Sequence, residues 1–131
     1  MRYHIFIDRV TERVHLPGRD EAIRTARAVL ETLGERLYKT ERSKLAAELP
    51  KELKGFLGEK AAFKLTRENQ DRFTMQEFHN RVGERAGTGH REAVRRTEGV
   101  FAVLGEAVSE GVLSESLRSL PEEFSRKLSP R

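Results

Sequence analysis

Residues 20–38 read DEAIRTARAVLETLGERLY, and their apolar side chains recur at the three- and four-residue intervals of an α-helix. The positions that would form the buried face of this helix are Ala22, Ile23, Ala26, Val29, Leu30, Leu33 and Leu37. Arginine and glutamate fill most of the opposite face. We therefore predict an amphipathic helix from about Asp20 to Tyr38, with Asp20 as its N-cap.

A second long helix, predicted from about Arg91 to Glu110, has the same pattern 71 positions later, as Leu33 and Leu104 illustrate. Its inward positions match those of the first helix one for one: Ala93, Val94, Thr97, Val100, Phe101, Leu104 and Val108. A glycine and a glutamate follow the aligned leucine in both helices. The chain therefore contains an internal duplication.

The helices that precede the two long ones also match, at an offset of 72, which aligns Phe6 with Phe78 and Arg13 with Arg85. The first is predicted over residues 2–14. The second should begin after Thr74, which forms a capping box with Glu77, while Phe73 and Phe78 form the hydrophobic staple beside it. His15 and His90 lie in the matching breaks, as turn and N-terminal residues.

Short helices complete each copy. We predict one from about Glu41 to Leu49 and another capped by Ser114. Proline disfavours helical geometry in the residue before it but suits the first helical position, so a further helix should start at Pro50 and at Pro121. Glycine inside both long helices, at Gly34 and Gly105, indicates that another helix approaches closely.

These patterns predict an all-α fold: two pseudo-symmetric four-helix repeats packed as one helical bundle. The first repeat spans about 2–57, the connection 58–73 and the second repeat about 74–128. A repeat of this size would be marginally stable alone, so we expect one shared core and a single domain over residues 1–131. The side chains expected at the centre of that core are Val10, Val29, Leu33, Val82, Val100 and Leu104.

The F-x-x-R-V-x-E-R opening of each repeat, the L-G-E of each long helix and the later L-P-x-E resemble an uncharacterised bacterial family, domain-of-unknown-function family 2267. The resemblance extends from Tyr3 to about Leu128. It implies a two-repeat, all-helical cytosolic protein of prokaryotic type, and it carries over no catalytic residues. The long connection with its apolar Phe63 and Leu65 departs from the family pattern.

The charge balance of the 131 residues does not point to one class of partner. Lys and Arg number 25 and Asp and Glu 21, a net charge of +4. Glutamate is interleaved with the basic residues, which is typical of solvated helix faces rather than a nucleic-acid surface. The preference for arginine over lysine fits either a hot environment or a GC-rich genome.

The sequence favours a cytoplasmic protein without a membrane segment. No apolar run approaches the roughly 20 residues needed to span a bilayer. Asp8 and Arg9 interrupt the apolar N-terminus, so no secretory leader is expected.

Residues that could support catalysis are not clustered in the sequence. There is no cysteine, and no two of the four histidines have the H-x-x-x-H spacing of a metal site. The sequence GTGH at residues 87–90 lacks the third glycine and the preceding strand of a phosphate loop. We therefore expect no catalytic residues, no cofactor and no metal, although a small enzyme or ligand-binding protein stays an alternative.

Arginines that recur in both repeats have two interpretations. Arg13 and Arg85 flank the apolar stripes, and the acceptors expected to clamp them to a neighbouring helix are Glu21, Glu35, Glu92 and Glu106. Alternatively, Arg9, Arg13 and Arg24 bind an acidic or anionic ligand. We favour the structural interpretation, because the residues recur beside a repeated helix contact.

Ile5 points away from the apolar stripe of its own helix. Either the connection folds back so that Phe63 and Leu65 cover it, or the three form an exposed patch for dimerisation or partner binding. The candidate interaction surface therefore comprises Ile5, Arg9, Arg13, Arg24, Phe63 and Leu65. Our leading hypothesis is a non-catalytic module that binds another protein or itself. The alternative is a nucleic-acid- or ribosome-associated protein that uses the basic first repeat.

Overall fold

The computed structural model describes residues 1–58, 73–118 and 120, and the secondary structure of these residues is entirely helical. The helices in order are α1 (Tyr3–Val14), α2 (Arg19–Arg36), α3 (Lys39–Ala47), α4 (Lys51–Phe56), α5 (Met75–Ala86), α6 (His90–Ala107) and α7 (Glu110–Arg118). The prediction of an all-α fold is confirmed. None of the described helices is long and apolar enough to cross a membrane.

The longest helices, α2 and α6, lie against each other, and each is flanked by helices from both halves of the chain. α1 packs against α2 and α6, while α5 packs against α6 and α2. α3 packs against α7. Each of the six side chains predicted for the centre of the core is at most 1 % exposed.

The first turn of α5 has the predicted end structure. The Thr74 side chain accepts a hydrogen bond from the Glu77 backbone N–H at 3.1 Å. The rings of Phe73 and Phe78 lie 6.2 Å apart between centroids and both are buried. A satisfied N–H and an apolar contact thus fix where the helix begins.

The break after α1 also matches the sequence. His15 adopts left-handed geometry with φ of 61°, and its N–H bonds to the Thr11 carbonyl. His90 is the first residue of α6. The predicted turn and N-terminal roles of these histidines are confirmed.

The prediction of Asp20 as an N-cap is wrong. Gly18 is the N-cap of α2, with extended backbone, and its carbonyl accepts from the Ala22 N–H at 3.2 Å. Asp20 lies instead in the first turn, where its negative charge interacts favourably with the partly positive N-terminal end of the helix dipole. α3 likewise begins at Lys39 rather than at Glu41 and ends at Ala47.

Pro50 breaks the chain as predicted, but it is the N-cap of α4 rather than its first helical residue, because its ψ of 159° is extended. The Ser114 cap is wrong: Ser114 lies inside α7, which begins at Glu110. Ser109 precedes that helix, and its carbonyl accepts from the Leu113 N–H at 3.1 Å. The helix predicted to start at Pro121 falls on residues outside the described part of the chain.

Gly34 lies where two parts of the backbone meet. A Cβ at this position would lie 2.1 Å from the Leu57 carbonyl oxygen. The predicted close approach is therefore real at Gly34, and the approaching segment is the end of α4. Phe63 and Leu65 of the connection, and Leu128 of the second repeat, lie outside the described residues.

Candidate interaction surface

Two reciprocal ion pairs connect the halves of the chain. Arg13 of α1 donates to Glu106 of α6 at 2.8 Å, and Arg85 of α5 donates to Glu35 of α2 at 2.6 Å. The prediction that these arginines clamp a neighbouring helix is confirmed. Both pairs are partly exposed, so each contributes little stability by itself. Arg13 therefore has a helix-connecting contact within the fold.

Arg96 is the most buried cation in these networks, with its side chain 9 % exposed. It donates to Glu21 at 2.7 Å, to the Thr25 hydroxyl at 2.9 Å and to Glu92 at 2.8 Å. Its pKa is raised: burial alone would lower it, and the hydrogen bonds to Glu92 and Glu21 outweigh that effect. Arg96 thereby ties α6 to α2.

Glu92 is shared by two arginines. Hydrogen bonds from Arg95 and Arg96 lower the pKa of Glu92 to about 2. Arg95 also donates to the Val14 carbonyl oxygen at the end of α1. Glu92 is an acceptor as predicted, whereas Arg96 was not predictable, because the equivalent residue in the first repeat is Thr25 and no repeated arginine marks the position.

Phe73 sits between two further arginines. The Arg81 guanidinium lies 3.9 Å from the centroid of the Phe73 ring, and Arg36 lies 6.0 Å from it. Arg36 also donates to the Phe73 carbonyl oxygen at 3.1 Å. These contacts fix the chain where it enters α5.

An open groove of about 330 Å³ runs along the outer side of α2, and we call it the α2 groove. Its lining residues are Asp20, Ile23, Arg24, Arg27, Ala28, Glu31 and Arg85. Ala28 is buried, whereas Arg24 and Arg27 are exposed. The groove thus has an apolar base and charges of both signs at its rim.

Arg27, which lines the α2 groove, also contacts a pair of aromatic side chains. Tyr3 and Phe56 meet edge to face with ring centroids 6.4 Å apart, and the Arg27 guanidinium lies 5.0 Å from the Phe56 ring centroid. Tyr3 and Phe56 are each partly exposed. Arg27 has no ion pair within the described part of the chain. We call these three residues the aromatic–arginine cluster.

The predicted surface residues do not form one site. Ile5 is 39 % exposed and Arg9 is exposed, both on α1. Arg24 lines the α2 groove, 3.6 Å from Glu21, whereas neither Arg9 nor Arg13 lines it. Phe63 and Leu65 lie outside the described residues. Sequence reasoning missed Tyr3, Phe56 and Arg27, because their proximity depends on α4 crossing α1 and α2.

A second open groove, of about 300 Å³, lies beside the break between α5 and α6. Its lining includes His79, His90, Glu77 and Glu84. The two histidine rings lie 5.6 Å apart between centroids. Across residues 1–58 and 73–118, no three histidine, aspartate or glutamate side chains are placed to hold a metal ion.

Comparison with known proteins supports the resemblance noted in the sequence. No curated protein matches the chain. The family model described as "Uncharacterized conserved protein (DUF2267)" matches residues 3–126, which is nearly the whole chain. The chain therefore belongs to the DUF2267 family of conserved proteins.

Proposed function

We propose that this chain is a non-catalytic cytoplasmic module that binds another protein through the α2 groove and the aromatic–arginine cluster. In this proposal the chain is one domain of two pseudo-symmetric repeats. Matching helix lengths support the repeats: α1 and α5 have 12 residues, α2 and α6 have 18, and α3 and α7 have 9. The reciprocal pairs Arg13–Glu106 and Arg85–Glu35 support the same arrangement.

The observation that carries the proposed binding role is the aromatic–arginine cluster beside a groove. Tyrosine and arginine are the side chains that most often dominate the energetics of protein interfaces. The Arg27 guanidinium lies 5.0 Å from the Phe56 ring centroid and has no ion pair among the described residues, so its N–H groups can donate to a partner. Buried Ala28 leaves room for an apolar side chain to enter the groove beside it.

This geometry defines the chemistry of the partner. A carboxylate that accepts from Arg27, next to an apolar side chain that packs on Phe56 and Ile23, would satisfy both features of the surface. Asp20 and Glu31 also line the groove. They favour a partner segment of mixed charge over one that is uniformly acidic.

The nucleic-acid alternative has weaker support. The arginines that pair with carboxylates of the chain itself are Arg13, Arg19, Arg24, Arg81, Arg85, Arg95 and Arg96. Affinity for nucleic acid depends on cations that neutralise phosphates and release their counterions. Guanidinium groups already neutralised by glutamate contribute little to that release.

The test is capture of a partner from native lysate, with nuclease added, followed by titration of the purified partner. We expect Arg27→Glu to weaken binding at least about tenfold, which corresponds to the loss of one charge-assisted contact. Arg91→Glu is the matched control, because Arg91 is exposed on α6 and is not a lining residue of the α2 groove.

Equal binding by Arg27→Glu and the unchanged chain would overturn the proposed surface. Equal losses in both variants would mean that total charge, not the cluster, governs binding. Partners that disappear after nuclease treatment would favour the nucleic-acid alternative instead.

A further inference from the structure

We infer that the contact between Val14 and Gly99 determines which half of the chain can pair with which, so that each half recognises only the other. The binding surface concerned is the junction between the halves, and its partner is the unlike half of this chain or of a second copy. This inference rests on the repeats of the proposed function but not on the proposed binding site.

The junction between α1 and α6 has no space for an additional carbon atom. A Cβ at Gly99 would lie 2.4 Å from Cγ2 of Val14 and 3.7 Å from its Cβ. Real Cβ atoms essentially never come so close to a neighbour. Val14 is 1 % exposed and so has no solvent-filled space to move into. Valine in α1 therefore requires glycine in α6.

The equivalent junction between α2 and α5 has different residues. An offset of 72 places Ala86 at the position of Val14, and an offset of 71 places Ala28 at the position of Gly99. Both alanines are buried, at 2 % and 1 % exposed. One junction thus places a large side chain opposite none, and the repeat alignment predicts two small side chains opposite each other in the other junction.

Pairing of like halves would disrupt both arrangements. Two first halves would place Val14 against Ala28, whose methyl group occupies the space that must stay empty at Gly99. Two second halves would place Ala86 against Gly99 and leave a void, which also destabilises. Only unlike halves fill both junctions without overlap or cavity.

The reciprocal pairs Arg13–Glu106 and Arg85–Glu35 cannot supply this selectivity. Arg13 and Arg85 occupy equivalent positions, as do Glu35 and Glu106. Like halves would therefore form the same arginine–glutamate pairs as unlike halves do. Steric exclusion at Val14 and Gly99 acts against the wrong combination, and the Arg96–Thr25 contact, which also needs unlike halves, acts in the same direction.

The first test measures unfolding midpoints of the full chain. Gly99→Ala should lower the midpoint, although alanine ordinarily stabilises a helix relative to glycine. Adding Val14→Ala should recover much of that loss, because the junction then has the two alanines of its counterpart. Ala86→Val should likewise lower the midpoint, and adding Ala28→Gly should recover part of it. Additive losses in both pairs, without recovery, would overturn the inference.

The second test traps like halves directly, and it uses the absence of cysteine from the sequence. Arg13→Cys with Glu35→Cys places thiols of two chains at the two ends of an arginine–glutamate contact when two first halves pair. After refolding with a bismaleimide cross-linker that matches the length of an arginine–glutamate pair, which a disulfide is too short to span, we expect cross-linked dimers when Val14→Ala and Gly99→Ala are also present, and only background dimer without them. Arg13→Cys alone gives that background.

Dimers in both backgrounds would mean that Val14 and Gly99 do not select the partner half. Absence of dimers from both would mean that another feature excludes like halves. Either result overturns the inference. The Ala86→Val and Ala28→Gly pair tests whether the two halves are equivalent repeats. The effect of Arg27→Glu on partner binding tests the proposed binding role. Failure of the inference can therefore be distinguished from failure of the proposed function.

Discussion

The α1–α6 and α2–α5 junctions occupy equivalent positions in the sequence but depend on different interactions. Between α1 and α6, Val14 packs on Gly99 and the Val14 carbonyl accepts from Arg95. Between α2 and α5, Arg85 donates to Glu35 and to the Thr32 hydroxyl. Both junctions have an arginine–glutamate pair, and they differ in the tight Val14–Gly99 packing of one and in the Thr32 hydroxyl contact of the other. A helical framework can thus retain its apolar stripe while the contacts around it diverge.

At one pair of equivalent positions, the two different residues contact each other across the halves. Arg96 and Thr25 occupy equivalent positions, and Arg96 donates to the Thr25 hydroxyl at 2.9 Å. Threonine at both positions would lack the guanidinium, and arginine at both would bring two buried cations together. The asymmetry therefore provides a donor in one half and an acceptor in the other.

The largest effect should come from the residues in which the halves are most alike. Leu33→Ala and Leu104→Ala should each lower the free energy of unfolding by about 2–5 kcal/mol, because both side chains are at most 1 % exposed. Chemical denaturation measures the loss, and Ile5→Ala, at a 39 % exposed position, is the control. Losses below about 1 kcal/mol at both leucines would contradict a shared core.

Gly34→Ala should have the next largest effect, about 3 kcal/mol, at the upper end of overpacking. The obstacle is the Leu57 carbonyl oxygen, which lies 2.1 Å from the added carbon and belongs to the backbone, so it cannot rotate away. Gly111→Ala is the matched control: nothing lies within 4 Å, and alanine should stabilise α7 by up to about 1 kcal/mol. A similar loss in Gly105→Ala would extend the comparison to the second half, whereas a neutral Gly34→Ala would contradict the close approach.

The sequence predicts the apolar core well and the polar contacts unevenly. Helical spacing identifies side chains such as Val29 and Val100, because burial of one helix face is a local property. Cap residues are less predictable. The N-cap of α2 is Gly18 rather than Asp20, and a glycine N-cap has no side chain by which the sequence could identify it. The aromatic–arginine cluster was not predictable, because only the folded chain brings Phe56 to Arg27.

Arg96→Met and Arg85→Met should separate the two networks. The Arg96 side chain is 9 % exposed and that of Arg85 is 30 % exposed. We expect Arg96→Met to lower the free energy of unfolding by about 1.5–3 kcal/mol, because charged groups lose hydrogen bonds in a largely buried site. Arg85→Met should lose less than about 1 kcal/mol, as partly exposed pairs do. Thermal unfolding compares the two, and equal losses would contradict the assignment of different roles.

The response to acid should reveal the same difference through Glu92. Its folded pKa of about 2 lies below its ordinary value of 4.5, so its contribution to stability is present above pH 4.5 and is lost as pH falls to about 2. Glu92→Gln should therefore flatten the fall in the free energy of unfolding over that range. Glu84→Gln, at an exposed position on α5, is the control. A slope unchanged by Glu92→Gln would mean that its arginine contacts do not persist in solution.

The smallest effect on stability should come from Ile5→Glu, at a position where one half has an apolar residue and the other a charged one. Ile5 is 39 % exposed. Its equivalent in the second half is the charged Glu77, whose carboxylate accepts a hydrogen bond from Arg81 at 2.9 Å. We expect the unfolding free energy to change by less than about 0.5 kcal/mol, as for other surface substitutions. Any self-association of the chain, measured by sedimentation velocity, should weaken, because a charge in an apolar patch opposes its burial. Gln76→Glu adds the same charge at an exposed position of α5 and should leave association unchanged. A loss of stability in Ile5→Glu would instead support cover by Phe63 and Leu65, and no change in either measurement would overturn both hypotheses for this residue.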